Sequence, residues 1–86
     1  MNQLQIDYFK AVAHYKNFTR AAEELYVSQP AVSKQIAALE AELGVRLFIR
    51  KGRSLELTLS GEVMYEYFVR TAVELENAIS LARRSL

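Results

Sequence analysis

Residues 19 to 43 hold the side chains whose types and spacing bear most directly on chemistry. They form two short stretches of helical periodicity, broken at Tyr26, Val27 and Ser28 and closed by Gly44. In the second stretch Val32, Ile36, Leu39 and Leu43 recur at steps of 4, 3 and 4. At about 100° per residue they fall in one stripe, which is a core face. Pro30, Lys34, Ala37 and Ala41 fall on the opposite side, a cation among small residues that let a helix backbone approach its target. The acids Glu40 and Glu42 stay on the flanks of the C-terminal half. The amide of Gln29 can pair bidentately with adenine, Lys34 can reach guanine O6 and N7 or a phosphate, and the ring of Pro30 can pack on a thymine methyl. Two short helices joined by a tight break, the second presenting such an edge, have the layout of a helix-turn-helix DNA reader.

A second group of cations follows at once. Between Gly44 and Ser60, Arg46, Arg50, Lys51 and Arg53 stand against a single acid, Glu56. Leu47 to Arg50 and Leu55 to Thr58 alternate in polarity on either side of Lys51-Gly52-Arg53-Ser54, which predicts a β-hairpin with Gly52 supplying the positive φ at its tip. Leu47, Ile49, Leu55 and Leu57 are expected to pin its base to the domain. A basic hairpin behind a helix-turn-helix is a wing, so Arg53 is the candidate for minor-groove insertion and Arg50 and Lys51 for phosphates. Thr19 and Arg20, at a helix start, are further phosphate candidates through the hydroxyl, the cation and free backbone amides.

The elements that position these residues are helical. Leu4 to Tyr15 carries Leu4, Tyr8, Phe9, Val12 and Ala13 at helical spacing without Gly or Pro. Arg20 to Leu25 turns Ala21, Ala22 and Leu25 inward, with Asn17 its N-cap and Thr19 the competing position. The third helix is capped by Ser28 or by Gln29, since Pro30 fits a first turn and biases the residue before it away from helix. From Thr58 or Ser60 onward no breaker follows Gly61, and Met64, Phe68, Thr71, Leu75, Ala78 and Ala82 recur at steps of 4, 3, 4, 3 and 4. That seam is heptad-like. A helix this long extends roughly 37 Å, more than so small a domain covers, so a second copy of the same helix is the expected occupant of the seam.

Composition narrows the alternatives. A chain of 86 residues builds one core and buries only about 60% of its unfolded surface, which favours self-association. The formal charge of +1 argues against a strongly basic coat protein. Without cysteine there is no disulfide, thiolate metal site or thiol nucleophile. His14 stands alone, Glu23 and Glu24 face different directions on their helix, and neither a nucleophile-base-orienter set nor a Gly-rich phosphate loop is present. No enzyme, no metal and no cofactor are expected. With Asp7, Lys10, His14 and Lys16 spread through the first twenty residues, neither a signal peptide nor a membrane span is expected, and the location is read as cytoplasmic.

Several stretches together resemble the N-terminal domain of LysR-type transcriptional regulators. They are Phe18-Thr19-Arg20-Ala21-Ala22-Glu23-Glu24-Leu25, Ser28-Gln29-Pro30-Ala31-Val32-Ser33, Leu39-Glu40, Leu43-Gly44, Leu47-Phe48 with Arg50, and Leu57-Thr58 with Gly61. The ordered combination covers nearly the whole chain. The resemblance implies a bacterial winged helix-turn-helix that binds double-stranded DNA as a homodimer, with Gln29, Pro30, Ser33 and Lys34 meeting the major groove. Members of the family usually continue into an effector-binding domain, absent here, so the chain reads as the DNA-binding fragment of a longer regulator. It departs from the family at Lys16-Asn17, where Gly-Ser is frequent; Lys16 is strained if that turn needs positive φ.

The expected architecture is mainly α with a small β-hairpin: a winged helix-turn-helix over residues 1–58, then a linker and dimerisation helix over 59–86. The expected activity is sequence-specific DNA binding for transcriptional regulation. The runner-up is a winged protein-interaction module without specific DNA binding. A small-ligand sensor is remote, because the chain has little room for an apolar pocket.

Overall fold

The computed structural model describes residues 1–86, and its order is α1 (Gln3–Tyr15), α2 (Phe18–Leu25), α3 (Gln29–Leu43), β1 (Phe48–Lys51), β2 (Ser54–Leu57) and α4 (Leu59–Arg84). Each helix starts where a side chain takes up a free amide. Asn2 accepts from Gln5 N and Asn17 from Arg20 N, both at 2.8 Å, while Ser28 accepts from Ala31 N at 3.2 Å and Thr58 from Gly61 N at 2.9 Å. Asn17 and Ser28 are thus the caps, and Gln29 is the first residue of α3 rather than its cap.

The first three helices end in left-handed residues. Gly44 (φ 71°) adopts that conformation freely, but Lys16 (φ 52°) and Tyr26 (φ 59°) do not. A Cβ there costs about 1 kcal/mol, so the strain anticipated at Lys16 is present, and Tyr26 adds a second strained position.

The hairpin is antiparallel, with Phe48 opposite Leu57, Ile49 opposite Glu56, Arg50 opposite Leu55 and Lys51 opposite Ser54. Only Gly52-Arg53 remains in the loop. Gly52 has φ 61° and Arg53 does not share the positive region, as a type II′ turn requires. Both strands lie one residue toward the tip from the positions expected, and the face assignment changes in one place. Phe48 is buried, whereas Ile49 is 46% exposed beside Glu56 and does not pin the hairpin. Leu47 and Leu55 are buried, and Leu57 packs against the core at its edge.

Phe9 is the centre of that core. Its ring lies 5.4 Å from Phe48, 5.8 Å from Phe68 and 6.3 Å from Tyr65, so one side chain of α1 ties β1 and α4 together. Around it Val12, Ala21, Ala22, Val32, Ile36 and Leu39 close the contacts among α1, α2 and α3. Phe68, expected on a seam facing a second copy, is only 4% exposed and belongs to this core. The chain covers it because α1 lies along the first turns of α4 and Phe9 fills the angle between them. Met64 and Tyr65 also pack inward. Thr71 is half-buried, its hydroxyl bonded to the Tyr67 and Phe68 carbonyls, while Leu75 (61% exposed), Ala78 and Ala82 are exposed.

The wing is fixed to the helices through backbone. Glu40 Oε2 accepts from Leu47 N at 2.7 Å and from Arg46 Nε at 3.4 Å. The Leu47 carbonyl accepts from Thr58 N at 3.0 Å, and Thr58 Oγ1 donates to the Arg46 carbonyl. A Cβ on Gly61 would stand 2.1 Å from that Leu47 oxygen, so no side chain fits between the head of α4 and the wing.

Gly61→Ala is therefore expected to cost about 2–3 kcal/mol, read as a lowered midpoint in thermal or urea unfolding. Phe68→Ala costs about 3–5 kcal/mol through the cavity it leaves. Leu75→Ala changes stability by less than about 0.5 kcal/mol at concentrations where the chain is monomeric. Equal losses for Phe68→Ala and Leu75→Ala would contradict the division of α4 into an inward and an outward part.

Candidate nucleic-acid interface

α3 turns one edge to solvent because the other is fully occupied. Val32, Ile36 and Leu39 are buried, while Pro30, Lys34, Ala37, Ala38 and Ala41 are exposed. Gln29 and Ser33 sit half-buried one turn apart, and Gln29 Nε2 donates to Ser33 Oγ. This bond holds the amide plane while one N–H and the Oε1 acceptor of Gln29 remain free, as does the hydroxyl hydrogen of Ser33. A glutamine held this way is arranged for a base edge that offers both an acceptor and a donor.

The hairpin separates two cations that the sequence reading grouped. Arg50 shares the face of the buried Phe48, whereas Lys51 points to the other face with Ile49, its carbonyl accepting from Ser54 Oγ at 2.9 Å. Arg50 consequently leans toward the helices. Together with Lys16, Asn17, Phe18, Thr19, Gln29, Arg53 and Leu55 it lines an open concavity of about 430 Å³ between the start of α2, the start of α3 and the wing. Thr19, Gln29, Arg50 and Arg53 are thus brought to one place. Pro30, Ser33 and Lys34 continue the same edge along α3, and Arg20 and Lys51 lie outside the concavity.

Charge follows this geometry. Only three ion pairs form: Met1 N-terminus with Glu42, Arg20 with Glu24 at 3.2 Å, and Arg46 with Glu40 at 3.4 Å. Arg20 is further held over the Tyr15 ring at 5.3 Å, so its guanidinium is partly engaged. Lys16, Lys34, Arg50, Lys51 and Arg53 have no carboxylate within 4.0 Å. No acid lines the concavity. His14 is exposed and stacks edge-on against Tyr15 at 4.7 Å, and no His, Cys, Asp or Glu cluster of metal-binding size comes together.

Two residues escaped the sequence reading. The sequence marks Lys16 only for strain, although its charge and its place just before the Asn17 cap are the available signal. Tyr26, 94% exposed in the turn between α2 and α3, carried no signal for positive φ, since Gly and Asn are absent there.

The family model described as "Bacterial regulatory helix-turn-helix protein, lysR family" matches residues 3–62. The probable cat1 operon transcriptional activator of Acinetobacter lwoffii is 42% identical over 84 residues, 98% of this chain but 28% of the relative. The chain therefore spans little more than a quarter of that relative's length. The crystal structure of the BenM DNA-binding domain with benA site 1 DNA superimposes with a TM-score of 0.87 at 34% identity, covering 98% of this chain and 94% of the other. That of the CbnR DNA-binding domain with DNA gives 0.86 at 39% identity, covering 99% and 98%. Four helices, a two-stranded wing and a family match over most of its length place this chain in the LysR family of bacterial helix-turn-helix regulators.

Proposed function

We propose that this chain is the DNA-reading part of a bacterial transcriptional regulator, binding double-stranded DNA with α3 in the major groove and the wing toward the minor groove. The observation that carries this reading is the outer edge of α3, which runs without interruption into a concavity lined by unpaired cations and no acid. Gln29, Pro30, Ser33 and Lys34 read base edges, Arg53 enters the minor groove, and Thr19, Arg50 and Lys51 hold phosphates. Arg20 joins them by exchanging Glu24 for a phosphate. Two related domains that superimpose on this chain were solved with DNA, which supports the same use of the fold here.

Residues 1–58 form the reader in this proposal, and residues 59–86 the linker and dimerisation helix. Beyond Phe68, Leu75, Ala78 and Ala82 leave an apolar strip uncovered, with Val73 and Leu81 also exposed. A second copy pairing along that strip presents two α3 helices to one duplex, which predicts an imperfect inverted repeat with half-sites about 10 to 10.5 base pairs apart or a multiple of that. Any small-molecule effector acts through a part of the regulator outside this chain. No helix is long and apolar enough to cross a membrane, and a DNA reader of this kind works in the cytoplasm.

Selection of bound sites from a random duplex pool by the purified chain is expected to return a two-fold symmetric motif. On that motif Gln29→Ala costs roughly 1–3 kcal/mol at one base pair and relaxes preference there, whereas Lys34→Ala weakens binding. Affinity must also fall steeply as salt rises. Titrations unchanged by both substitutions would refute the residue assignment, and salt-independent association would favour an apolar protein-interaction module instead.

A further inference from the structure

Lys16 holds a backbone conformation that suits glycine, and its N–H is spent on the Val12 carbonyl at 2.8 Å, closing α1. Its side chain is exposed and unpaired, on the wall of the concavity between α2, α3 and the wing. The opposing features of that concavity are Gln29, at the head of the major-groove helix, and Arg53, at the tip of the minor-groove wing. The two grooves of a duplex are divided by one sugar-phosphate strand. A hollow with a major-groove reader on one side and a minor-groove reader on the other is therefore the mould of that strand, and what enters it is a phosphodiester.

We infer that Lys16, with Thr19 and Arg50, forms a seat for one backbone phosphate between the two grooves, and that Lys16 is a DNA contact. This rests on the placement of α3 and the wing under the proposed function. Lys16 supplies charge and donors, Thr19 a hydroxyl donor, and Arg50 a planar fork suited to a phosphate. The rival place for the Lys16 ammonium is a smaller cleft that it borders with Glu56 and Glu62, neither of which lies within 4.0 Å of it. A phosphate in the seat holds the ammonium on the DNA side.

The test uses the whole chain on the operator found by duplex selection, titrated across a salt series, with Lys16→Gln, Lys16→Gly and Lys16→Arg beside the parent. Lys16→Gln is expected to lower the slope of log K against log salt by about 0.9 and to weaken binding on every sequence alike, with base preference unchanged. Lys16→Gly shows the same slope loss while its Tm rises by at most about 4 °C, the relief of the turn being partly offset by the larger unfolded-chain entropy of glycine. Lys16→Arg keeps the parental slope. Parental slopes in both the Gln and Gly variants would overturn the seat, and a more stable Lys16→Gly with full salt dependence would reduce Lys16 to a strained turn residue. A parent chain without salt-dependent duplex binding would overturn the DNA-reading proposal itself, and the seat with it.

Discussion

The geometry of the reader depends on the two hydrogen bonds of one peptide residue. Leu47 gives its N–H to Glu40, on α3, and its carbonyl to Thr58, at the head of α4, with Gly61 pressed against the same oxygen. Its side chain is fully buried. The wing is a two-stranded hairpin, a form that is marginal in isolation, and it acquires a fixed direction only because its first residues are held from both sides. A loose joint here would let the wing tip wander relative to α3, and the concavity between them would lose its shape. Glu40 thus acts from a distance on a surface it does not line: by neutralising Arg46 and holding Leu47 it fixes where Arg50 and Arg53 stand.

α4 divides its length between two tasks. Its first turns carry Tyr65 and Phe68 inward to Phe9 and Met64 against the same core, and this packing fuses the helix to the winged helix-turn-helix. Farther along, the apolar positions continue at the same spacing but are left largely exposed, Leu75 at the end of an open concavity shared with Gln3, Ile6 and Lys10 of α1. The longest dimension of the molecule, 52 Å against 28 and 21 Å, reflects that overhang. In the proposed reading the rigid first turns carry the orientation of α3 to the pairing strip, because an unbroken helix transmits direction without a hinge.

Most of this was legible in the sequence because local signals agreed with one another. Gly44 and Gly52 turn as expected, the caps fall on one of the two positions open for each of α2 and α3 (Asn17 and Ser28), α4 begins from Thr58, one of its two possible starts, and the stripe of α3 buries Val32, Ile36 and Leu39 with Leu43 half-buried at its end. The failures came where a pattern had two solutions. Leu47-Phe48-Ile49 is apolar throughout, so a period of two cannot choose its inward face. The choice falls on Phe48 because Leu47 is already spent in the joint before β1 begins, leaving Ile49 to pair outward with Glu56. Phe68 fits a heptad equally well whether a partner or α1 covers it, and periodicity does not name the neighbour. The candidate site was legible as residue types, but its gathering of Thr19, Gln29, Arg50 and Arg53 required the hairpin register, which sends Arg50 inward and Lys51 outward.

Near-neutral net charge has a consequence for how such a surface binds. Four of the unpaired cations, Lys16, Lys34, Arg50 and Arg53, lie along α3 and the concavity, while no acid lines the concavity and the two acids of α3, Glu40 and Glu42, sit in its C-terminal half, each in an ion pair. Favourable charge is thus local, and under the proposed function a single copy neutralises only a few phosphates, each contributing about 0.9 to the salt slope. One copy gains little affinity from so few contacts. The proposed joining of two copies makes the second half-site encounter intramolecular, at an effective concentration set by the rigid helix between them. In the proposed reading, specificity then depends on the match between half-site spacing and the length of α4 as much as on Gln29 itself. On that proposal, a near-neutral chain with a long apolar overhang is a physical solution to binding one duplex site tightly without binding every duplex: affinity is withheld until two copies are held at the correct separation.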